Sequence, residues 1–265
     1  MLISNLSAGV VEHHQSDAAP WRAESLALSQ KGQRHDSNGD RYLVSRRIEL
    51  FAVADGSGSA AKGEETADLC LSYLDDHLSG ALERAPLSTA IIEDALRATN
   101  GRLLSGVRNY DGSLRMRGGC CIAGMIFAPG PEPMVHVFHV GDVRIYGGTA
   151  AGLSPLTEDH VVPAKKATAS GDQARTRPKG RVTKALGVRP SLKATFRKVA
   201  LDDFSFFLIC SDGVVRSLGD RRIDTIFCGR AQSLEQSFAD FAFELERSKP
   251  EDDATALLIA PRGNS

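Results

Sequence analysis

Apolar runs that stop on aspartates recur at five widely separated places in this chain: 32–40, 54–59, 140–144, 210–213 and 251–255. A fold that accommodates them must bring strand ends from distant parts of the sequence to one place. Carboxylates gathered there, with glycines that let the backbone come close, suit hard divalent cations. A single Asp-Gly pair is an ordinary turn. Asp55-Gly56 follows the apolar run 50–54, Asp212-Gly213 follows 206–210, and Asp252 precedes the last apolar run. Three acid-bearing turns beside buried strands would repel one another without a cation between them.

A chain of 265 residues, 42% hydrophobic and 25% charged, can bury a sizeable core as one large domain or two small ones. The net charge of −1 gives no global electrostatic case for binding nucleic acid or an acidic membrane. The five cysteines are odd in number and lack metal-finger spacing, so reduced thiols in a cytoplasmic protein are expected. No apolar stretch is long enough to span a bilayer. Residues 1–20 are polar, lack signal-peptide layout and read as a loose terminus in which His13 and His14 are solvated.

Residues 64–78 carry Ala67, Cys70, Leu71, Leu74 and Leu78 at helical spacing, and 87–107 repeat the pattern through Ile92, Ala95, Leu96, Thr99 and Leu103. Ser233 begins a further helix with Leu234, Phe238, Phe241 and Leu245. Strands are expected at 25–29, 42–45, 50–54, 120–127, 134–140, 143–146, 205–210 and 255–260. Helices come in pairs rather than alternating with strands. That order predicts an α+β fold of antiparallel sheets with helices packed outside, and argues against a doubly wound parallel sheet. Residues 165–184 hold seven basic residues and one acid, Asp172, and read either as a solvated loop or as a basic lid, about 163–184, that meets phosphorylated substrate.

The order and flanking residues of the acidic stretches resemble the metal-dependent protein serine/threonine phosphatases of type 2C, in a bacterial-type version, from about Ser25 to Ala260. Leu156-Thr157-Glu158-Asp159-His160 is similar to that family's Leu-Thr-x-Asp-His. Residues 182–187 are similar to its Thr-Arg-Ala-Leu-Gly box, and Gly119-Cys120-Cys121 to its Gly-Thr-Thr. The resemblance implies a four-layer αββα sandwich, with 21–265 as a single phosphatase domain. It also implies hydrolysis of phosphoserine and phosphothreonine in proteins by a metal-activated water, with Mn2+ or Mg2+ as cofactor. Asp55 would bridge two ions, the Gly56 carbonyl would add a ligand, and Asp212 and Asp252 would bind one of the ions. Asp40 would complete the site through water. Arg34 would grip the phosphate, with His35 as the alternative when the motif is counted without a gap. Two ions from separate residues need no protein nucleophile, so Cys210 is read as a core thiol.

The chain departs from the family pattern at four positions. Gly39 stands where a glutamate is usual, and Ser57 where many members carry a histidine proposed as general acid. Val143 replaces a serine after Asp142, which would serve a third, weaker ion. The acid expected to complete that third site is Arg216, whose guanidinium should pair Asp142 or Asp212, so two ions are expected. The expected partners are phosphorylated proteins made by a serine/threonine kinase, with no nucleic acid, no membrane and a monomeric state. A catalytically weak phosphatase-like protein that binds phosphoproteins is the rival reading. A metal-dependent nuclease is disfavoured by the neutral net charge and the absence of aromatic–basic interleaving.

Overall fold

The computed structural model describes residues 12–15, 21–58, 60–108, 114–115, 118–128, 130–162, 181–228 and 233–263. In chain order the strands and helices are β1 (Glu12–Gln15), β2 (Trp21–Gln30), β3 (Asp40–Ser45), β4 (Leu50–Ser57), α1 (Ala60–Leu82), α2 (Thr89–Leu104), β5 (Val107–Arg108), β6 (Leu114–Arg115), β7 (Gly119–Ala128), β8 (Met134–Val140), β9 (Arg144–Thr149), β10 (Gly152–Pro155), β11 (Val161–Val162), β12 (Arg181–Val182), β13 (Thr195–Ala200), β14 (Phe206–Cys210), α3 (Asp212–Leu218), α4 (Asp220–Phe227), α5 (Leu234–Ser248) and β15 (Ala254–Gly263).

Successive residues of the central strands serve two different cores, because strand side chains alternate between faces. On β4, Phe51 and Val53 join Met125 and Phe127 of β7, Phe207 and Ile209 of β14, and Leu257 and Ile259 of β15 in a core between two sheets. Leu50, Ala52 and Ala54 face the other way, onto Leu71, Leu74 and Leu78 of α1 and Leu96 of α2. Phe206, Leu208 and Cys210 of β14 likewise pack on Ile223 of α4 and on Phe238 and Phe241 of α5. Three stacked cores separate four layers, which is the expected αββα arrangement. Burial on both faces also explains why these strands read as continuous apolar runs.

One sheet has the order β1-β2-β15-β14-β9-β10 and the other β13-β8-β7-β4-β3, with antiparallel pairing throughout. The stripe Ala67, Cys70, Leu71, Leu74 and Leu78 is fully buried. Each such leucine contributes roughly 1.5–3 kcal/mol relative to exposure. The Ser88 hydroxyl caps α2 by accepting from the Ile91 amide at 3.3 Å, and Ser233 caps α5 by accepting from Gln236 at 3.2 Å. Lys249 in the left-handed region (φ 52°) ends α5 and turns the chain toward the acidic pair Asp252-Asp253.

Residues 12–15, within the segment expected to be loose, form β1 and pair with residues 24–27 of β2. Residues 163–180 of the proposed basic lid lie outside the described residues. The lid's end is described: Val182 pairs with Val161. No helix among the described residues is long and apolar enough to cross a membrane.

Candidate metal centre

Asp40 opens β3 and Asp55 lies near the end of β4, and the antiparallel register sets the two directly opposite each other. The strand ends can meet because the crossing chains are glycines. A Cβ on Gly56 would come within 2.0 Å of the Gly63 carbonyl oxygen, and one on Gly39 within 2.9 Å of the Gly56 carbonyl oxygen. The Gly56 amide donates to the Gly39 carbonyl at 3.1 Å. A side chain in place of Gly39 would displace the Gly56 carbonyl, which gives the departure at this position a local packing reason.

Asp142 follows β8 through Gly141, whose φ of +109° and approach to Cys121 leave no room for a side chain. His160 fixes this turn. Its backbone N–H donates to the Gly141 carbonyl at 2.9 Å, and its ring Nδ1 accepts from the Gly141 amide at 3.1 Å. Asp212 opens α3 immediately after β14, and the Ser211 hydroxyl before it accepts from the Thr255 amide at 2.9 Å. Oxygens of Asp55, Asp142 and Asp212 lie within 4.8 Å of one another.

The electrostatics follow from this crowding. Burial, opposed by a hydrogen bond with Ser211 and reinforced by the charges of Asp253 and Asp212, pushes the Asp40 carboxyl up to about 8. Burial also raises Asp55 well above the carboxylate range, with repulsion from Asp40, Asp212, Asp142 and Asp252 adding to it. Two buried acceptors in the cluster, Asp40 Oδ2 and Asp142 Oδ1, have no hydrogen-bond partner. Buried carboxylate oxygens without donors are rare in a folded protein unless a cation satisfies them. The donor set is all oxygen, which suits Mg2+ or Mn2+. The residues present therefore fit the metal that the sequence implied.

The remaining expected residues sit around this centre. Asp252 lies beyond Asp212, with Arg216 between them: the Arg216 guanidinium pairs with Asp212 Oδ2 and donates to Asp252 Oδ2 at 2.7 Å. The expected pairing with Asp212 is present, and the second partner is Asp252 rather than Asp142. Arg34 points outward, 69% exposed, and pairs with Glu251 at 2.6 Å. His35, the other candidate phosphate contact, has Nε2 3.5 Å from Asp252 and Nδ1 2.8 Å from Asp253. The Ser57 hydroxyl donates to the Gly119 carbonyl at 3.1 Å. Cys210 is fully buried and its thiol is pushed up by that burial, as expected of a core residue. All five cysteines are free thiols.

Sequence reasoning missed two residues that hold the centre together. Asp253 is buried; its Oδ1 accepts from the Gly32 amide at 2.7 Å and its Oδ2 from the Gly39 amide at 2.7 Å. It thus ties the first acidic loop to the last one. Arg41, also buried, pairs with Glu64 at 2.5 Å and Asp68 at 2.9 Å on α1, and donates to the Asn38 and Asp40 carbonyls at 2.8 and 2.7 Å. The only available signal was type: an acid pair at 252–253, and an arginine followed by two acids one helical turn apart at 64 and 68.

Residues 30–256 match the protein family described as Protein phosphatase 2C. No curated protein sequence matches the chain. Among solved structures, the serine/threonine phosphatase PstP/Ppp of Mycobacterium tuberculosis is 22% identical with a TM-score of 0.71, covering 90% of this chain and 98% of its own. PppA, described as a regulatory component of the type VI secretion system in Pseudomonas aeruginosa, is 21% identical with a TM-score of 0.69 over 90% of this chain and 97% of its own. A catalytic domain of PstP in complex with 2 manganese ions is 22% identical with a TM-score of 0.69, over 91% and 98%. At these identities the likeness is one of fold.

Proposed function

This chain belongs to the Protein phosphatase 2C family, and from that premise we propose that it hydrolyses phosphoserine and phosphothreonine in proteins at a dinuclear Mn2+ or Mg2+ site built on Asp55. The observation that carries the reading is the convergence of Asp55, Asp142 and Asp212 within 4.8 Å, beside buried acceptors that have no donor. When bound, the ions would supply Lewis acidity, a more acidic water and neutralisation of phosphoryl charge.

The chain's own residues divide the remaining work. Asp55, whose ionisation four neighbouring carboxylates disfavour, would hold both ions, and the Gly56 carbonyl beside it would offer a neutral oxygen. Asp40 backs Asp55 from the adjacent strand; Asp212 and Asp252 close the side nearest α3, and Asp142 the side nearest β8. Arg34 would turn from Glu251 toward the phosphoryl group, where a guanidinium fork matches two oxygens. Cys210 takes no part, since a buried thiol with a raised pKa is a poor nucleophile. We infer a monomer acting on the products of a serine/threonine kinase, and place it in the cytoplasm on the support of five cysteines that form no disulfide.

A second reading, a phosphoprotein-binding member with little turnover, draws support from the pairing of Arg34 with Glu251 and of Arg216 with two of the acids. One experiment separates the two readings. Turnover of p-nitrophenyl phosphate and a phosphothreonine peptide is measured with Mn2+ and with excess EDTA. Metal-dependent hydrolysis of both is expected. Binding of the peptide without turnover in Mn2+ would favour the second reading, and full activity in EDTA would overturn the metal mechanism.

A further inference from the structure

Arg216 stands one helical turn after Asp212 on α3, a position that leaves its side chain 33% exposed while it reaches inward. One guanidinium nitrogen pairs with Asp212 Oδ2 and the other donates to Asp252 Oδ2 at 2.7 Å. The two carboxylates arrive from opposite directions, one at the start of α3 and one from the loop before β15. A planar fork that joins them does what a bridging cation would do: it places positive charge between two acids in fixed geometry. Asp212 is also within reach of Asp55 and Asp142, so the fork abuts the oxygen cluster itself. His35 also faces Asp252, its Nε2 3.5 Å from Oδ1.

We propose that Arg216 is a tethered cation that competes with a divalent ion for Asp212 and Asp252 and thereby sets the metal affinity of the centre. The proposal rests on the reading of the cluster as a divalent-ion site. A guanidinium and a divalent ion on the same two carboxylates repel, so binding of the ion at Asp252 requires Arg216 to withdraw. In the metal-free protein the same fork offsets carboxylate repulsion and holds α3 to the loop before β15. Weaker metal binding and a firmer metal-free fold are two consequences of one contact.

The test is calorimetric titration of MnCl2 into the chelator-stripped full chain, with no substrate present, for the wild type, Arg216→Met, Arg216→Lys and Arg222→Met. Arg222 pairs with Glu244 between α4 and α5 and controls for loss of a charge elsewhere. Arg216→Met should bind Mn2+ about tenfold tighter or more, melt lower in EDTA, and gain more from Mn2+ on melting. Arg216→Lys should fall between, since an ammonium cannot fork across two carboxylates, and Arg222→Met should bind as the wild type does. Mn2+ affinity in Arg216→Met no tighter than wild type overturns the proposal while leaving the phosphatase reading intact. If the Met variant does not melt cooperatively, an unchanged affinity in the Lys variant overturns it equally. Absence of Mn2+ binding in every variant would overturn this proposal and the dinuclear reading together.

Discussion

Asp40 and Asp55 oppose each other across the β3–β4 pair, so neighbouring strands bring two carboxylates to one buried end of a sheet. Without a cation this arrangement is costly, as the raised carboxyl pKa values of both residues indicate. Asp55→Asn should therefore have opposite effects on stability and activity. In EDTA at neutral pH it should raise the melting temperature, because it removes a carboxyl whose ionised form burial and the neighbouring acids disfavour, so that folding must suppress its ionisation. In Mn2+ it should reduce turnover roughly 100-fold or more, because the bridging carboxylate is lost. A variant that melts lower in EDTA would mean that the Asp55 carboxyl stabilises the metal-free fold and that the cluster is held by something other than a cation.

Asp253 joins two loops that are more than two hundred residues apart in sequence, through the Gly32 and Gly39 amides. Both of its oxygens accept, so an amide in its place would turn an NH2 group against a backbone N–H whichever way it faced. Asp253→Asn is expected to lose about 1–3 kcal/mol of stability, the cost of a buried donor left without its acceptor. Urea unfolding of the chelated protein measures it. A midpoint unchanged from wild type would show that these backbone amides find other partners.

How much of this centre could be read in advance depended on whether the signal was local. Asp55, Asp142 and Asp212 each end or follow an apolar strand at a turn, and all three meet in the structure. The two-sided burial of β4, β7 and β14 was visible as unbroken apolar runs. The edge strand β13, Thr-Phe-Arg-Lys-Val-Ala, was not: it is mostly exposed and lacks both the run and a clean alternation. Nor were α3 and α4, which at 7 and 8 residues are too short for periodicity to speak. The Asp252 contact of Arg216 and the partners of Arg34 and Asp253 were illegible for a different reason. Pairing is set by which loops the fold lays side by side, and the 32–39 loop lies against 250–253 only once β2 and β15 are neighbours.

Cys210 offers a check on the nucleophile. It lies under α3 and α4 in the core, fully buried, with a thiol raised by desolvation. Cys210→Ser should retain most turnover per folded molecule in Mn2+, although burying a hydroxyl in an apolar core will lower stability by about 1–3 kcal/mol. Activity is normalised to the folded fraction from near-ultraviolet dichroism. Complete inactivation of the folded variant would place a phosphocysteine on the pathway instead.

The stacked pair His139 and His160, with ring centroids 4.4 Å apart, predicts a pH dependence of stability separable from that of the acids. Burial, then repulsion by His139 and Lys184, pushes the His160 imidazole down to about 4 from its usual 6.5. Its Nδ1 accepts from the Gly141 amide, so Nε2 carries the hydrogen and donates to the Thr195 hydroxyl at 2.9 Å. A proton on Nδ1 would break the contact that fixes the turn before Asp142. The unfolded chain binds that proton more readily than the folded one, so between the two pKa values stability rises with pH. The contribution is present in full above about 6.5 and is lost as pH falls toward about 4. His160→Asn keeps an acceptor near the Gly141 amide and removes the titration. Urea midpoints measured across that window should therefore fall less steeply on acidification for His160→Asn than for the wild type, with the carboxylates contributing equally to both. Parallel slopes for the two proteins would show that His160 titrates alike in the folded and unfolded chain, and that the Gly141 turn does not depend on a neutral imidazole.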